Sequence, residues 1–218
     1  MSLYQLRIEL LSDTTFGRGD GVAGLIDQEV EHDVNGFPYL RGRTLKGLLS
    51  EECDNLVAVI NDTERRKRWQ SIAAKLFGVP GSRLETIALM HVGDACLPED
   101  LRHAITQQIT DQNLTPAEVL DSLTTVRRQT AIATDTGVAD PNSLRSARVV
   151  LRNLAFATDL FFDEAPSQDT LALLSAGAAA LRRIGSGRNR GRGHVKCTIW
   201  DSENPLNAQL LQRFGGAA

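Results

Sequence analysis

Near the start of the chain apolar and polar residues alternate, with Leu6, Ile8 and Leu10 set against Gln5, Arg7 and Glu9. A period of two belongs to a strand with one buried face, so residues 4–11 are predicted to be extended. Residues 12–24, SDTTFGRGDGVAG, are too polar and glycine-rich for an element interior and read as a long loop. A short extended piece follows at 25–30. Asp33-Val34-Asn35-Gly36 is a turn signal, with Asn-Gly suited to positive φ. Residues 37–40 are extended, since the residue before Pro38 avoids the helical region. A helix is predicted from a cap at Arg43 or Thr44 to about Ile60. A second runs over 64–77 and stops at Gly78-Val79-Pro80-Gly81. Residues 86–94, TIALMHVGD, read as a central strand. The polar segment 97–123, broken by Pro116, reads as an insertion of one or two short helices packed at the edge of the core.

Two alternating pieces make residues 124–149 a protruding hairpin, with turn signals at Asp135-Thr136-Gly137 and Asp140-Pro141-Asn142. Residues 151–162 form a strand, 169–183 an Ala- and Leu-rich helix, and 194–200 the last strand. A short helix at 206–214 precedes a fraying GGAA tail. Beneath the insertions the order is β-α-β-β-α-β. The expected class is therefore α+β, with a ferredoxin-like (RRM-like) arrangement. Such folds host many functions, so function has to come from sites.

At 218 residues and 42% hydrophobic composition, the chain can bury the core of one domain carrying insertions. No stretch approaches the roughly 18 apolar residues of a membrane span, and the start is unlike a signal peptide. Cys53, Cys96 and Cys197 lie far apart with no CxxC pair, which points to a reducing compartment, the cytoplasm, and away from disulfides or structural zinc. The net charge of −3 matters less than its distribution. Residues 182–200 hold Arg182, Arg183, Arg188, Arg190, Arg192 and Lys196 and no acid, whereas acids gather at 27–33, 51–54 and 99–121. Aromatic residues are only 5% of the chain, which favours contacts to a nucleic-acid backbone over base stacking.

The basic stretch contains GSGRNRGRGHVK at 185–196, where Gly185, Gly187, Gly191 and Gly193 interleave with Arg188, Asn189, Arg190 and Arg192. Glycine lets a backbone approach a ligand closely, and arginine supplies planar forks that match phosphate oxygens. Chemically this is an RNA-backbone cradle, although the same composition suits a flexible surface turn. At the first helix, Arg41, Arg43, Thr44 and Lys46 stand where free N–H groups and a partial positive charge can hold a phosphate; an ordinary capped helix with solvated basic residues is the alternative. Arg127, Arg128, Arg145 and Arg148 decorate the hairpin. The run Arg65-Arg66-Lys67-Arg68 reads as a solvated face.

Four segments, in order, resemble the RAMP superfamily of CRISPR-associated proteins. They are the first strand and loop ending in Gly24-Leu25-Ile26-Asp27-Gln28-Glu29-Val30; residues 35–47, NGFPYLRGRTLKG; the hairpin segment 128–139; and the glycine-rich loop. Within that superfamily the chain resembles the backbone subunit of type III effector complexes. The resemblance implies a single domain over residues 1–218, with a ferredoxin-like palm and finger and thumb insertions. It implies as partners a guide (CRISPR) RNA, a target RNA, and other effector subunits or further copies of the chain. It also makes Asp27 the residue that cuts target RNA. The chain departs from the family where Gln28-Glu29-Val30 replaces a usual proline nearby, and where Arg41 and Arg43 replace a proline and a serine.

A loop aspartate can bind Mg²⁺ (or another divalent cation) or accept a 2′-hydroxyl proton. Asp27 is thus the expected catalytic residue and metal ligand, with Asp20 second and Asp33 third; a carboxylate that merely caps a turn is the plain alternative. Two alternatives stand beside target cleavage: a structural RAMP subunit that does not cut, and a metal-independent ribonuclease that processes guide-RNA precursors, for which such relatives often use a histidine; here His32 lies among Glu29, Glu31 and Asp33, which would repel a phosphodiester. His91 is expected in the core, His103 exposed on a helix, and His194 at a strand start.

Overall fold

The structure is a computed structural model that describes residues 4–22, 25–79, 87–140, 143–202 and 204–215. Gly24, the Pro80-Gly81 stop, the start of the 86–94 strand, the Pro141-Asn142 turn and the last residues of the tail lie outside the described residues. Strands β1 (Tyr4–Leu10), β2 (Met90–Val92), β5 (Ala155–Phe162), β6 (Val195–Asp201) and β7 (Asn204–Pro205) form a sheet in the order β2-β5-β1-β6-β7. Every pairing in it is antiparallel. β1 lies between β5 and β6, with Leu6 opposite Thr158 on one side and Ile199 on the other. Its alternation is realised as expected: Leu6, Ile8 and Leu10 are buried, while Arg7 and Glu9 are exposed.

Helices α1 (Gly42–Ala58), α2 (Thr63–Phe77), α5 (Gln168–Ala180) and α6 (Asn207–Gly215) pack on one another, and α5 and α6 also meet β6. In α1 the buried Leu45, Leu49, Cys53 and Val57 recur every four residues, the spacing of one helix face. α5 is buried continuously from Thr170 to Ala178, so it carries no polar stripe. The α1–α5 crossing is close at Gly177, where a Cβ would stand 2.3 Å from Cys53 Sγ. Ser167 and Asp62 cap α5 and α2 by accepting from Thr170 N and Arg65 N. The inserted α3 (Glu99–Thr110) and α4 (Pro116–Leu123) follow β2, α4 opening on a Thr115–Glu118 capping box with Pro116 in its first turn. β3 (Thr124–Gln129) and β4 (Arg145–Val150) pair separately as a two-stranded ribbon.

Several expectations change. The strand read as central is a three-residue edge strand, since β2 pairs only with β5 among the described strands. On it Met90 faces the core, so alternation turns His91 outward, where its Nε2 meets the Asp163 carboxylate at 3.2 Å. α1 starts earlier than expected. Neither Arg43 nor Thr44 caps it; Arg41 holds the cap position without a side-chain bond, and the Gly42 N–H donates to Asp94 Oδ1 at 2.7 Å. The basic run in α2 is not simply solvated. Arg65 donates to the Phe214 carbonyl, Arg68 and Arg213 both pair with Asp169, and Trp69 meets Phe214 at 4.9 Å, so the run fastens α6 to the body. Among the described residues no helix is long and apolar enough to cross a membrane.

Candidate nucleic-acid interface

After β1 the chain leaves the sheet and folds back on itself. Glu31 N donates to Phe16 O at 2.7 Å and Arg18 N to Glu29 O at 3.0 Å, so residues 16–18 pair with 29–31. The return arm then runs beside β4: Gln28 bridges Ala147 in parallel, Asp27 N donates to Ser146 O at 3.0 Å, and Arg148 N donates to Gln28 O at 2.9 Å. This register sets Asp27 against Ser146, although 119 residues separate them. Asp27 Oδ2 accepts from Ser146 N at 2.6 Å and from Ser146 Oγ at 3.1 Å. The Ser146 amide above all, then its hydroxyl, holds the exposed Asp27 carboxyl below the usual carboxylate range, and the Arg145 charge assists. Asp27 is thus a fixed anion at neutral pH. That makes it a feeble base and a good partner for cations.

The hairpin is tied down at its base. Arg127 Nε and Nη2 both reach Asp13 Oδ2, at 3.1 and 2.6 Å, and Arg152 stands 3.5 Å from Oδ1. Burial is the largest influence on Asp13 and pushes its pKa up, but the combined bonds and charges of Arg127 and Arg152 hold it below the ordinary value. Arg148, on β4 of the hairpin, pairs with buried Glu29 at 3.0 Å and with Asp121 of α4 at 2.7 Å. One guanidinium therefore links first loop, insertion and hairpin.

The glycine-rich loop forms the facing wall. A single 3-10 turn, Arg188–Arg190, is flanked by Gly187 and Gly191, both left-handed (φ 77° and 78°), a conformation other residues adopt only with strain. The turn lifts Arg188, Asn189 and Arg190 into solvent. Ser186 N donates to Thr15 O at 3.0 Å and Gly193 N to Asp13 O at 3.0 Å, which stitches the loop to the segment after β1.

Between these walls runs a trough of adjoining cavities. One of about 240 Å³ is lined by Arg41, Thr44 and Arg188 among others. A second, of about 620 Å³, shares Gly185, Ser186 and Arg188 with it and extends along the loop to Arg192. A third, of about 260 Å³, contains Asp27 and Ser146 together with Arg127, Arg145, Arg190 and Arg192. A fourth, of about 690 Å³, continues past Gln129, Arg145 and Arg190 toward the hairpin tip.

Most of the expected RNA-binding residues converge here: Arg41, Thr44, Arg127, Gly185, Gly187, Arg188, Asn189, Arg190 and Arg192 line the trough, and Gly191 closes the turn. Arg41 does so while paired with buried Glu31 at 2.8 Å. Arg43 and Arg128 are exposed but line none of the cavities described above, Arg128 because strand alternation turns it away from Arg127. Lys46 is also apart. Its ammonium donates to Met90 O at 2.7 Å beside the edge strand, and burial lowers its pKa. Asp20 pairs with Arg18 at 2.6 Å, Asp33 accepts from Asn35 N and Phe37 N as a turn cap, and the His32 ring bonds Asp33 O; none lines the Asp27 cavity. Gln28, Gln129, Arg145 and Ser146 line it without having been singled out as site residues, and only the loop–hairpin register identifies them.

The donor set limits what metal this chain can hold. Among the described residues no three metal-ligating side chains cluster. Asp27 stands among arginines, and its Oδ2 is engaged by Ser146. The described residues alone do not make a Mg²⁺ site; oxygens from a bound RNA would have to supply the other ligands.

Sheet and trough together define an α+β protein with an arginine-lined channel crossing one end of an antiparallel sheet. The chain belongs to the RAMP superfamily, whose family model matches residues 7–196. Its fold is similar to chains of two cryo-electron microscopy structures of the type III-B Cmr-beta complex. One, in the apo state, matches with a TM-score of 0.62 at 14% identity over 90% of this chain and 96% of that chain. The other, bound to cognate target RNA, matches with a TM-score of 0.60 at the same identity and coverage. At that identity the likeness is one of fold. No curated protein matches the chain.

Proposed function

We propose that this chain is a cytoplasmic subunit of a type III CRISPR ribonucleoprotein effector that holds guide RNA along the trough and cuts the paired target RNA beside Asp27. The observation that carries this reading is a carboxylate fixed inside an arginine-lined channel, where the loop and hairpin converge. The strand order β2-β5-β1-β6, with α1 and α5 in the crossovers, supports a ferredoxin-like palm, and the β3–β4 ribbon supports a thumb. Other effector subunits, or further copies of the chain, would complete the channel.

Cleavage would follow from positioning. The target 2′-oxygen attacks the adjacent phosphorus, the bond from phosphorus to the 5′-oxygen breaks, the 2′-hydroxyl proton passes to water, and the leaving oxygen takes a proton from water. Arginines along the trough position phosphates without reading sequence, and base pairing supplies specificity. Mg²⁺, or another divalent cation, would offset charge on the phosphate when held by RNA oxygens together with Asp27.

A second reading is favoured by the Asp27–Ser146 bonds themselves: Asp27 as a structural clasp in a subunit that binds RNA without cutting. Cleavage by the assembled complex with Mg²⁺ separates the two. Asp27→Ala is expected to abolish regularly placed cuts while guide retention stays at the wild-type level. Unchanged cutting by the variant would leave the clasp reading.

A further inference from the structure

The arginines of the trough differ in what answers them. Arg41 and Arg127 each pair with a carboxylate of this chain. Arg192, like Arg145, Arg188 and Arg190, pairs with none among the described residues. Its Nη2 donates to Gln129 Oε1 at 3.0 Å, while Nε and Nη1 are buried with no hydrogen-bond partner. The guanidinium lies flat over Gly187, where even a Cβ would stand 3.0 Å from Nε. The side chain is half-buried, and N–H groups shielded from water without a partner are unfavourable until an anion or another acceptor completes them. Gln129 and Gly187 fix the fork in place, so it is preorganised for that anion.

Position indicates which anion. Arg188 and Arg190 are exposed on the loop crest, within reach of a strand running over the surface. Arg192 is recessed below them on the wall of the cavity of about 260 Å³ that contains Asp27, a cavity that Arg190 borders from the crest. A phosphodiester offers two non-bridging oxygens to a guanidinium fork and carries one negative charge. Arg145 and Arg192 offset the repulsion that Asp27 would exert on it.

We infer that Arg192 is the receptor for the phosphodiester to be cut, whereas the exposed arginines of the crest carry the guide. This inference rests on the reading of Asp27 as the cleaving residue.

The test uses the assembled complex with guide RNA and a paired target, comparing wild type, Asp27→Ala, Arg192→Gln and Arg192→Lys. Arg192→Gln is expected to keep its guide and bind target, yet to cut about 100-fold more slowly, the order seen when one preorganised donor to a reacting oxygen is removed. Arg192→Lys keeps the charge without the fork and should recover part of that rate, and it serves as the test if the glutamine variant does not fold. A phosphorothioate at the cut linkage supplies a second readout: its two diastereomers should be cut at different rates by wild type, and this preference should shrink in both Arg192 variants. Loss of guide from Arg192→Gln and Arg192→Lys would overturn the inference by assigning Arg192 to the guide. Normal cutting with an unchanged diastereomer preference would overturn it as well. Normal cutting by Asp27→Ala would instead remove the reading on which it rests.

Discussion

The sheet core and the trough are held together by opposite means. β1 and α1 are held by apolar side chains at regular spacing and α5 by a continuous buried run, with Leu6, Ile8, Leu45, Leu49 and Leu173 at 0–1% exposure. The backbone under the trough shares that core through Phe16, Val30, Val150 and Ile184, but the side chains that face the channel are positioned by a few polar links across long stretches of sequence: Asp27 to Ser146, Asp13 to Arg127, Glu29 to Arg148 and Gln129 to Arg192. Many weak non-directional contacts make a region tolerant of any one polar change, whereas a region built on single directional links can lose its geometry at one residue. Stability and recognition are therefore expected to separate by mutation.

The largest effect that separates them is in the core. Leu49 is fully buried in α1, and Leu49→Ala is expected to cost about 2–5 kcal/mol through lost transfer energy and a cavity. For a domain of this size that lowers the melting temperature by on the order of 10 °C. RNA affinity per folded molecule should not change. A parallel loss of affinity in the folded fraction, measured well below the melting transition, would show that core and trough are not separable.

Arg188→Ala with Arg190→Ala is the converse and comes next in size. Both side chains are exposed on the crest, so thermal melting should stay within about 1 °C of wild type, as expected for surface changes. Guide affinity should fall about tenfold or more at low salt, and the slope of log affinity against log salt should flatten by about 1.4, the single-strand value for two phosphate contacts. Guide binding equal to wild type at low salt would remove the crest from the interface.

This division also explains what the sequence made legible. Core elements announce themselves locally, as the alternation of β1 does, and turn and glycine signals also bracket the hairpin and loop, so most elements lie within a few residues of their expected bounds. β2 reads as central in the sequence because a short apolar run looks alike at the edge and at the centre of a sheet, and only pairing distinguishes them. The same ambiguity hides the outward turn of His91. At the trough, composition marked the glycine-arginine loop, and the family resemblance marked Asp27. Ser146 and Gln129 carry no local signal. Their roles arise from the parallel register of Gln28 on Ala147 and from the reach of Arg192 across 63 residues of sequence. Lys46 erred the other way, being basic and near the right helix start but turned toward Met90 by its place on the helix face.

Asp13 stands where the two regions meet, and there the smallest effect is expected. It follows β1 directly, is 10% exposed, and grips Arg127 at the base of the hairpin. Its folded pKa is depressed, the contacts of Arg127 and Arg152 outweighing the upward push of burial. A depressed carboxyl contributes stability that is fully present above its unfolded pKa, about 3.9, and is lost as pH falls through the folded value. Because Arg127 is half-exposed, the link is worth less than about 1 kcal/mol. Asp13→Asn should therefore melt only a few degrees below wild type at pH 7, and that gap should close as the pH is lowered from about 5 toward 2. Guide affinity at pH 7 should fall modestly, because the hairpin base loosens while the loop crest stays intact. A melting gap that persists unchanged into acid would mean that Asp13 acts through packing rather than charge, and the joint between core and trough would then belong to the core.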